Sequence, residues 1–315
     1  MMSPRTNSRI PSTMRWGVLL ALATAVISGV SIYVNGFAVK SLPDPAVYTT
    51  VKNGIAAILL VMLAAATVRP FEIRAVPRRS WGWLAVIGIV GGSIPFVLFF
   101  TGLAEASAPS AAFIQKTLFI WVALLAVPLL GERLGLAQLG ALTVLLVGQV
   151  LILTPAGVTW GSGETMIAAA TVMWAVETIL ARRVLRTVPA AVVGAARLAV
   201  GMLVLVGYLA VTGKLGAVTA LTAEQWRWVV VTGVLLFGYV GTWFAALRRA
   251  PASLVTAVLV VGAPVTAALQ AMGTGRIPAP PVLLGELLVL AVAVALAAPS
   301  LRRRRLAPGP AGAIR

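Results

Sequence analysis

Four ionisable side chains lie inside long apolar runs of the sequence: Lys52, Lys116, Glu177 and Arg197. A charge deep in hydrocarbon is costly, so each is a candidate functional residue. Lys116, with Gln115 beside it, lies about eight residues into its run, roughly 12 Å deep at 1.5 Å per residue. A cation there can bind a substrate carboxylate or pair with a carboxylate of the protein. Alternatively, its amine can extend to the lipid headgroups.

Glu177 is the carboxylate that the sequence places well inside such a run, and we expect it to be the only one. A buried carboxylate can bind a proton in one state and release it in the other, which is what proton coupling requires. It can equally be a fixed partner of Arg197 or Arg182 that does not titrate. The sequence leaves both interpretations open, and Glu177 is the candidate residue for proton coupling.

Lys52 and Arg197 are 145 positions apart, and each lies a turn or two inside its run. This placement fits snorkelling or helix-end capping as well as it fits ligand binding, and we predict structural or gating roles for both. The Lys116 run closes with Glu132 and Arg133. We predict that these two pair locally or with basic loops, again in a structural or gating role.

Polar and aromatic side chains within the runs can complete a binding site. An asparagine both donates and accepts hydrogen bonds, and tryptophan rings can form apolar or cation–π walls. Tryptophan and tyrosine near span ends are also typical membrane-interface anchors. The predicted substrate-binding residues are Tyr33, Asn35, Gln115, Lys116, Trp174, Glu177, Tyr239 and Trp243.

The apolar runs themselves define the fold class. The chain is 60% hydrophobic and 10% charged, whereas soluble domains are about 45–50% apolar and about 25% charged. The runs are about twenty residues long, which is the length that an α-helix needs to cross a bilayer. We therefore predict an all-α, polytopic integral membrane protein without a soluble domain.

The chain contains no cysteine and no histidine. Thiolate and imidazole metal sites, disulfides and nucleophile systems built on cysteine or histidine are thereby excluded. The sequence has no Walker-type phosphate loop, so neither ATP hydrolysis by this chain nor an ATPase subunit is implied. We predict no cofactor, no metal and no enzymatic activity.

The runs number ten, five on each side of a loop that contains proline and glycine. The fifth and tenth runs also match at an offset of 145, at Gly140 and Gly285. Because five is odd, the second copy must be inverted relative to the first, which places a site near the midplane and supports alternating access. The predicted boundaries are an N-terminal tail 1–15, a first five-helix repeat 16–153, a linker 154–163, a second five-helix repeat 164–299 and a basic C-terminal tail 300–315.

The net charge of +17 is spread over short segments between the runs, which is typical of a topology signal and not of a nucleic-acid surface. With both termini cytoplasmic, the inner segments hold 18 lysines and arginines and the outer segments hold four. Positive charge accumulates on the cytoplasmic side, so we predict that both termini lie there. We expect the Arg302–Arg305 run to meet anionic lipid.

The stretch 128–140 reads Pro-Leu-Leu-Gly-Glu-Arg-Leu-Gly-Leu-Ala-Gln-Leu-Gly. With the basic residue in the second span of each half and the 5+5 layout, it resembles the drug/metabolite transporter superfamily, specifically an EamA-type ten-span permease. Two features depart from that family. Leu118–Phe119 replaces a proline in the fourth span, and the second half has Gly275–Arg276 where the family has Gly-Glu. The resemblance implies secondary transport of small metabolites, commonly their export.

We therefore expect a secondary active transporter in a bacterial cytoplasmic membrane that works by alternating access. The expected substrate is a small neutral, zwitterionic or amphipathic metabolite, amino-acid-like or drug-like, which is exported. Few cations lie within the spans, which argues against a highly phosphorylated substrate. Protons are the candidate coupling ion. The alternative is an uncoupled facilitator or channel for small solutes.

Overall fold

The computed structural model of the protein describes residues 12–42, 44–106, 108–153, 160–275 and 277–301. Over these residues all regular structure is helical, and no strand is present. Eight helical segments are long and apolar enough to cross a membrane, and two shorter apolar helices complete the ten predicted spans. The prediction of an all-α, polytopic membrane protein is confirmed. Three predicted features lie outside the described residues: the tail 1–11, the linker segment 154–159 and the run Arg302–Arg305.

Fifteen helices make up the described chain. Those of the first half are α1 (Ser12–Ser41), α2 (Pro45–Thr67), α3 (Pro70–Arg74), α4 (Arg78–Gly92), α5 (Ile94–Glu105), α6 (Ala108–Lys116), α7 (Leu118–Leu130) and α8 (Leu136–Leu153). Those of the second half are α9 (Ser162–Val184), α10 (Ala190–Val211), α11 (Gly216–Thr219), α12 (Ala223–Arg249), α13 (Ala252–Leu259), α14 (Gly262–Thr274) and α15 (Pro280–Leu301). Span 3 consists of α4 and α5, span 4 of α6 and α7, and span 9 of α13 and α14. The short helices α3 and α11 lie between spans.

The two halves interlock instead of forming separate bundles. Span 1 packs against span 8, and span 6 packs against span 3, which is the same pairing after the halves are exchanged. Span 2 packs against span 7 and span 5 against span 10, so the exchange maps each of these pairs onto itself. The packing is therefore symmetric between the repeats, and the interface between them runs through the middle of the bundle.

Asp44 fixes the start of α2. Its carboxylate accepts hydrogen bonds from the amides of Ala46 (2.7 Å) and Val47 (3.1 Å), which have no partner within the helix. Lys214 Nζ lies 2.8 Å from the same carboxylate. Partial burial alone would raise the pKa of Asp44, but the hydrogen bonds from Lys214 and the two amides outweigh it and hold that pKa below its usual value. The contact therefore weakens as the pH falls through this lowered pKa.

Spans 3 and 7 approach each other closely at two glycines. A Cβ added to Gly201 would lie 2.6 Å from the carbonyl carbon of Gly92 and 2.8 Å from its Cα. Small residues at helix contacts allow such close approach in membranes, where packing drives association. Gly201 thus sets the distance between a first-half and a second-half span.

Replacement of Gly201 by alanine should destabilise the protein. Overpacking a close contact typically costs about 1–3 kcal/mol, which exceeds the gain of up to about 1 kcal/mol from the helix propensity of alanine. Gly207→Ala in the same helix is the matched control, because no atom lies within 4 Å of its added Cβ. We expect thermal unfolding of the purified protein in detergent to shift down for Gly201→Ala only. Equal midpoints for the two variants would contradict the close contact.

Candidate functional site

Span 3 is interrupted in its middle, between α4 and α5. Pro95 has no amide hydrogen, so the carbonyl of Gly91, four residues earlier, receives no helical hydrogen bond from it. The Phe96 amide donates to Ser93 O at 3.0 Å and not to the carbonyl of Gly92. Two backbone acceptors are thus released from the helix inside a membrane span, where each must find another donor.

Side chains from three other spans donate to these two carbonyls. Arg197 Nη2 of span 7 lies 2.8 Å from Gly91 O, and the Trp174 indole nitrogen of span 6 lies 3.1 Å from the same oxygen. Asn53 Nδ2 of span 2 lies 3.4 Å from Gly92 O. The break in span 3 is therefore the point where spans 2, 3, 6 and 7 meet, two from each half.

Arg197 also pairs with Glu177, with Nε and Oε1 3.1 Å apart and side chains only 7% and 3% exposed. A Cβ at Gly91 would overlap the Glu177 side chain, so the glycine makes room for the pair. Of the two partners that the sequence left open for Glu177, the structure provides Arg197. Arg182 instead donates to backbone carbonyls at the end of α12.

Lys52 is buried as well, with 4% of the residue exposed. The expectation that its amine snorkels to the membrane surface is therefore wrong. Its Nζ lies 4.8 Å from the ring centroids of both Tyr48 and Phe100 and 5.8 Å from that of Phe96, within cation–π range. Arg197 Cζ lies 5.6 Å from the same Phe96 ring. The two repeat-related cations therefore meet at one phenylalanine. We call Lys52, Phe96, Trp174, Glu177 and Arg197 the central cluster.

Spans 4 and 9 are interrupted at repeat-related positions. Span 4 turns at Thr117, whose amide donates to two carbonyls of the preceding turn at 3.1 Å, a tightened helical turn. Span 9 turns in the same way at Val260 and Val261. Lys116 is the last residue of α6, where the helix dipole favours a cation. It forms no ion pair with any of the residues that the structure describes.

Spans 4, 6, 8 and 9 are joined at one end of the bundle. We call it the basic end, because α9 and α12 each finish there with two arginines. Glu132, just after α7, accepts from the amides of Ala252 (2.6 Å) and Ser253 (3.2 Å) and from the Ser253 hydroxyl (2.5 Å). Arg183 of α9 donates to Leu129 O of α7 at 2.5 Å. A carboxylate at the first turn of a helix is stabilised by the free amides and the dipole.

The predicted partners of Glu132 and Arg133 differ from those observed. Glu132 binds the start of α13, which is 120 residues away in sequence, instead of pairing locally or with a basic loop. Arg133 forms no ion pair within the described ranges. The free amides at the start of α13 are strong donors to the Glu132 carboxylate. They bind it in preference to the exposed Arg133, since exposed ion pairs contribute little.

Comparison with known proteins identifies the family. The EamA-like transporter family matches the chain twice, over residues 15–154 and 161–298. The chain belongs to the EamA-like transporter family. It is accordingly a membrane transporter of the drug/metabolite type. No curated protein matches the chain.

One similar solved structure is described only as "Crystal structure of protein". It is 18% identical, with a TM-score of 0.71, and the match covers 88% of this chain and 95% of that one. At this identity the likeness shows the fold alone. The two proteins therefore share one fold over most of their length.

Of the substrate-binding residues predicted for this EamA-type transporter, Trp174 and Glu177 lie in the central cluster. Asn35 lies next to it, because its Oδ1 accepts a hydrogen bond from the hydroxyl of Tyr48. Tyr239 stacks on Trp243 with ring centroids 6.1 Å apart, and Trp243 is buried in the main hydrophobic core.

The other three predicted residues lie elsewhere in the EamA-type bundle. Gln115 and Lys116 lie on α6, which packs against α8 and α9, and the Tyr33 ring packs edge-on against Phe37 at 5.1 Å. No hydrogen bond, ion pair or ring contact between described residues joins any of the three to the central cluster.

The geometry adds residues that the sequence did not identify. Tyr48 lies four positions before Lys52 on the same helix, a spacing that could have indicated their contact. Phe96 lies in another span, and Asn53 bonds a carbonyl of that span, so no sequence pattern indicates either contact. Glu286 was overlooked in a different way. It lies six residues into α15, with Oε1 buried and without a hydrogen-bond partner among the described atoms. Glu177 is therefore not the only carboxylate inside a span.

Breaking the buried ion pair from either side should destabilise the transporter. Removing one partner of a buried pair costs about 3–5 kcal/mol, because the other charge stays buried and unpaired. We expect Glu177→Gln and Arg197→Met each to lower the thermal unfolding midpoint in detergent, and the double variant to lose less than the sum. Glu224→Gln, at an exposed helix start, is the control. Additive losses in the double variant would refute direct coupling.

Proposed function

We propose that this chain is a secondary transporter that exports a small neutral, zwitterionic or amphipathic metabolite by alternating access. The observation that carries the proposal is a difference between the two ends of spans 4 and 9. At the basic end their halves, α7 and α13, pack against each other. Beyond the interruptions the other halves diverge: α6 packs on α8 and α9, and α14 packs on α1 and α15.

This arrangement corresponds to one state of an alternating-access cycle. Glu132 joins span 4 to span 9, Arg183 joins span 6 to span 4, and Arg182 joins span 6 to span 8. These bonds seal the basic end. The interruptions at Thr117 and Val261 give the far halves of spans 4 and 9 freedom to move as separate half-helices.

The basic end is the cytoplasmic end in this proposal, since arginines accumulate on that side of a membrane. The chain lies in the cytoplasmic membrane of a bacterium, with both termini in the cytoplasm. The state with a sealed basic end is then outward-facing, from which an exporter releases its substrate.

The central cluster supplies the chemistry for substrate and coupling. It lies between the two halves, where an inverted repeat places its binding site. Its aromatic rings suit an apolar body, and its buried polar groups suit one small charged or polar group. Protonation of Glu177 would remove the charge that holds Arg197, and this would release the guanidinium from its carboxylate. Proton binding is thereby linked to the contacts of span 3.

An uncoupled facilitator is the second candidate, and one observation favours it. Glu177 is already engaged by Arg197 at 3.1 Å, so the state described here binds a guanidinium where a coupled transporter would bind a proton. Both candidates bind the same class of substrate. They differ in whether substrate movement also moves protons.

Flux through proteoliposomes distinguishes the two candidates. The purified protein is challenged with amino acids and amphipathic amines, while internal pH and tracer are recorded together. We expect substrate-dependent proton movement that Glu177→Gln abolishes, while tracer exchange without a pH gradient continues. Glu286→Gln is the matched variant at the other carboxylate inside a span, and it should keep coupling. Loss of coupling in Glu286→Gln alone would move the proton site to span 10. Tracer movement without protons in the wild type would favour the facilitator.

The seal at the basic end can be tested with a single thiol, because the chain has no cysteine. Ala257→Cys places that thiol on α13, at a position that is 1% exposed and belongs to the same hydrophobic cluster as Phe119 of α7. We expect Glu132→Ala to speed its labelling by a membrane-impermeant maleimide at least about tenfold, since hydrogen bonds to a charged group contribute roughly 1.5–3 kcal/mol.

Glu72→Ala is the control for this experiment. Its carboxylate bonds the Arg69 amide within the same short segment and joins no two spans. Labelling should therefore stay at the rate of the parent variant. Equal labelling rates in Glu132→Ala and Glu72→Ala would show that Glu132 does not hold the end closed.

A further inference from the structure

We infer that Lys52 anchors a site for the carboxylate of a monoanionic substrate, whose apolar body lies against the rings of Tyr48, Phe96 and Phe100. The inference rests on the proposed transport function and narrows its substrate class. It assigns to Lys52 a ligand contact in place of the structural or gating role expected from its position in the sequence.

The first argument is the unmatched amino group of Lys52. The residue is 4% exposed, yet no hydrogen bond and no carboxylate within 4 Å reaches its Nζ from the described residues. An ammonium group has three hydrogen-bond donors. The faces of the surrounding rings attract its charge, but they do not offer the oxygen lone pairs with which a carbonyl or a carboxylate accepts hydrogen bonds. A buried cation of this kind is costly until an anion supplies the missing acceptors.

The second argument is that more unmatched polar atoms lie on the same turn of α2. Thr49 Oγ1 and Asn53 Oδ1 are buried and have no hydrogen-bond partner in the described structure, although Asn53 Nδ2 is used by Gly92 O. Lys52 lies three positions after Thr49, and Asn53 lies four positions after it. The three side chains therefore project from neighbouring parts of one helix face. A hydroxyl can donate to a carboxylate, and an amide oxygen can accept from a hydroxyl or an amide of a ligand.

The third argument concerns charge. Arg197 is compensated by Glu177 through a contact of 3.1 Å, so the central cluster retains the charge of Lys52 alone. One unbalanced positive charge at a buried site favours a ligand with one negative charge. A cationic amine would meet Lys52 with no free carboxylate, and a dianion would leave one charge unpaired.

The fourth argument is the arrangement of the aromatic rings around Lys52. The rings of Tyr48 and Phe100 lie edge to face at 6.1 Å, and those of Phe96 and Trp174 lie edge to face at 5.4 Å. The Lys52 amine is within 6 Å of three of these rings. A flat apolar body attached to a carboxylate would therefore have aromatic surfaces beside its charged group. An aryl or branched monocarboxylic acid has this combination of groups.

Equilibrium binding to the solubilised full chain tests the site without any gradient or transport. The probes are 3-phenylpropionate, its neutral amide 3-phenylpropionamide and the cation 2-phenylethylamine, measured by isothermal titration calorimetry. The variants are Lys52→Met, which removes the charge at similar length, and Lys116→Met, which tests the competing site. The sequence predicts Lys116 as a substrate-binding residue, but the structure places it on α6, away from the central cluster. Thermal unfolding and size-exclusion profiles report whether each variant is folded.

We expect the wild type to bind the acid more tightly than the amide and the amine. Lys52→Met should weaken binding of the acid by roughly ten- to a hundredfold, the usual range for a hydrogen bond to a charged group, and leave the amide unchanged. Lys116→Met should bind all three probes like the wild type. If Lys52→Met does not fold, a preference for acid over amide that persists in Lys116→Met supports the site.

Two results would overturn the inference: equal affinity of the wild type for acid and amide, or a loss of acid binding in Lys116→Met and not in Lys52→Met. These outcomes are distinct from failure of the proposed function. Binding that depends on Lys52 with no flux in proteoliposomes would reject transport and keep the site. Flux that is indifferent to Lys52→Met would keep transport and reject the site.

Discussion

The centre of this protein depends on one missing hydrogen bond. Pro95 cannot donate to the carbonyl of Gly91, and an unsatisfied carbonyl in a membrane interior is costly. Arg197 and Trp174 supply the donors, and Glu177 then balances the charge that Arg197 brings. A backbone requirement of span 3 thus recruits side chains from two spans of the other half. The ion pair is held in place by a carbonyl, and the carbonyl is free because of a proline.

The two halves have the same packing but different electrostatics. Lys52 and Arg197 occupy related positions and approach the same Phe96 ring. Arg197 has a carboxylate and a carbonyl as partners, whereas Lys52 has only aromatic rings among the described residues. An inverted repeat gives a transporter two similar frames around one centre. The two halves therefore contribute differently charged surroundings to the same centre.

Much of the fold could be predicted from the sequence, because the length and apolarity of a run suffice to define a membrane-spanning helix. The pairing of Glu177 with Arg197 was one of two choices that the sequence allowed, and only the packed spans decide between them. Gly91 and Pro95 mark a weak point in span 3, but no pattern tells which donors will take the released carbonyls. Glu132 was misjudged because its neighbour Arg133 suggested a local pair, while the fold brought a distant helix start within 2.6 Å.

The acidic clamp at the basic end has no chemical equivalent in the other half of the sequence. Gly131 and Gly275 both end their helices in the left-handed region, with φ of 69° and 64°. Glu132 follows the first glycine and Arg276 the second. Two identical halves would make the states sealed at either end equal in free energy. Because the Glu132 clamp has no counterpart at the repeat-related position of the sequence, the two states of the proposed cycle differ in energy, and this contact favours the state with the basic end sealed. In the proposed cycle, binding of substrate or of a proton would have to favour the open state by more than the free energy of this contact.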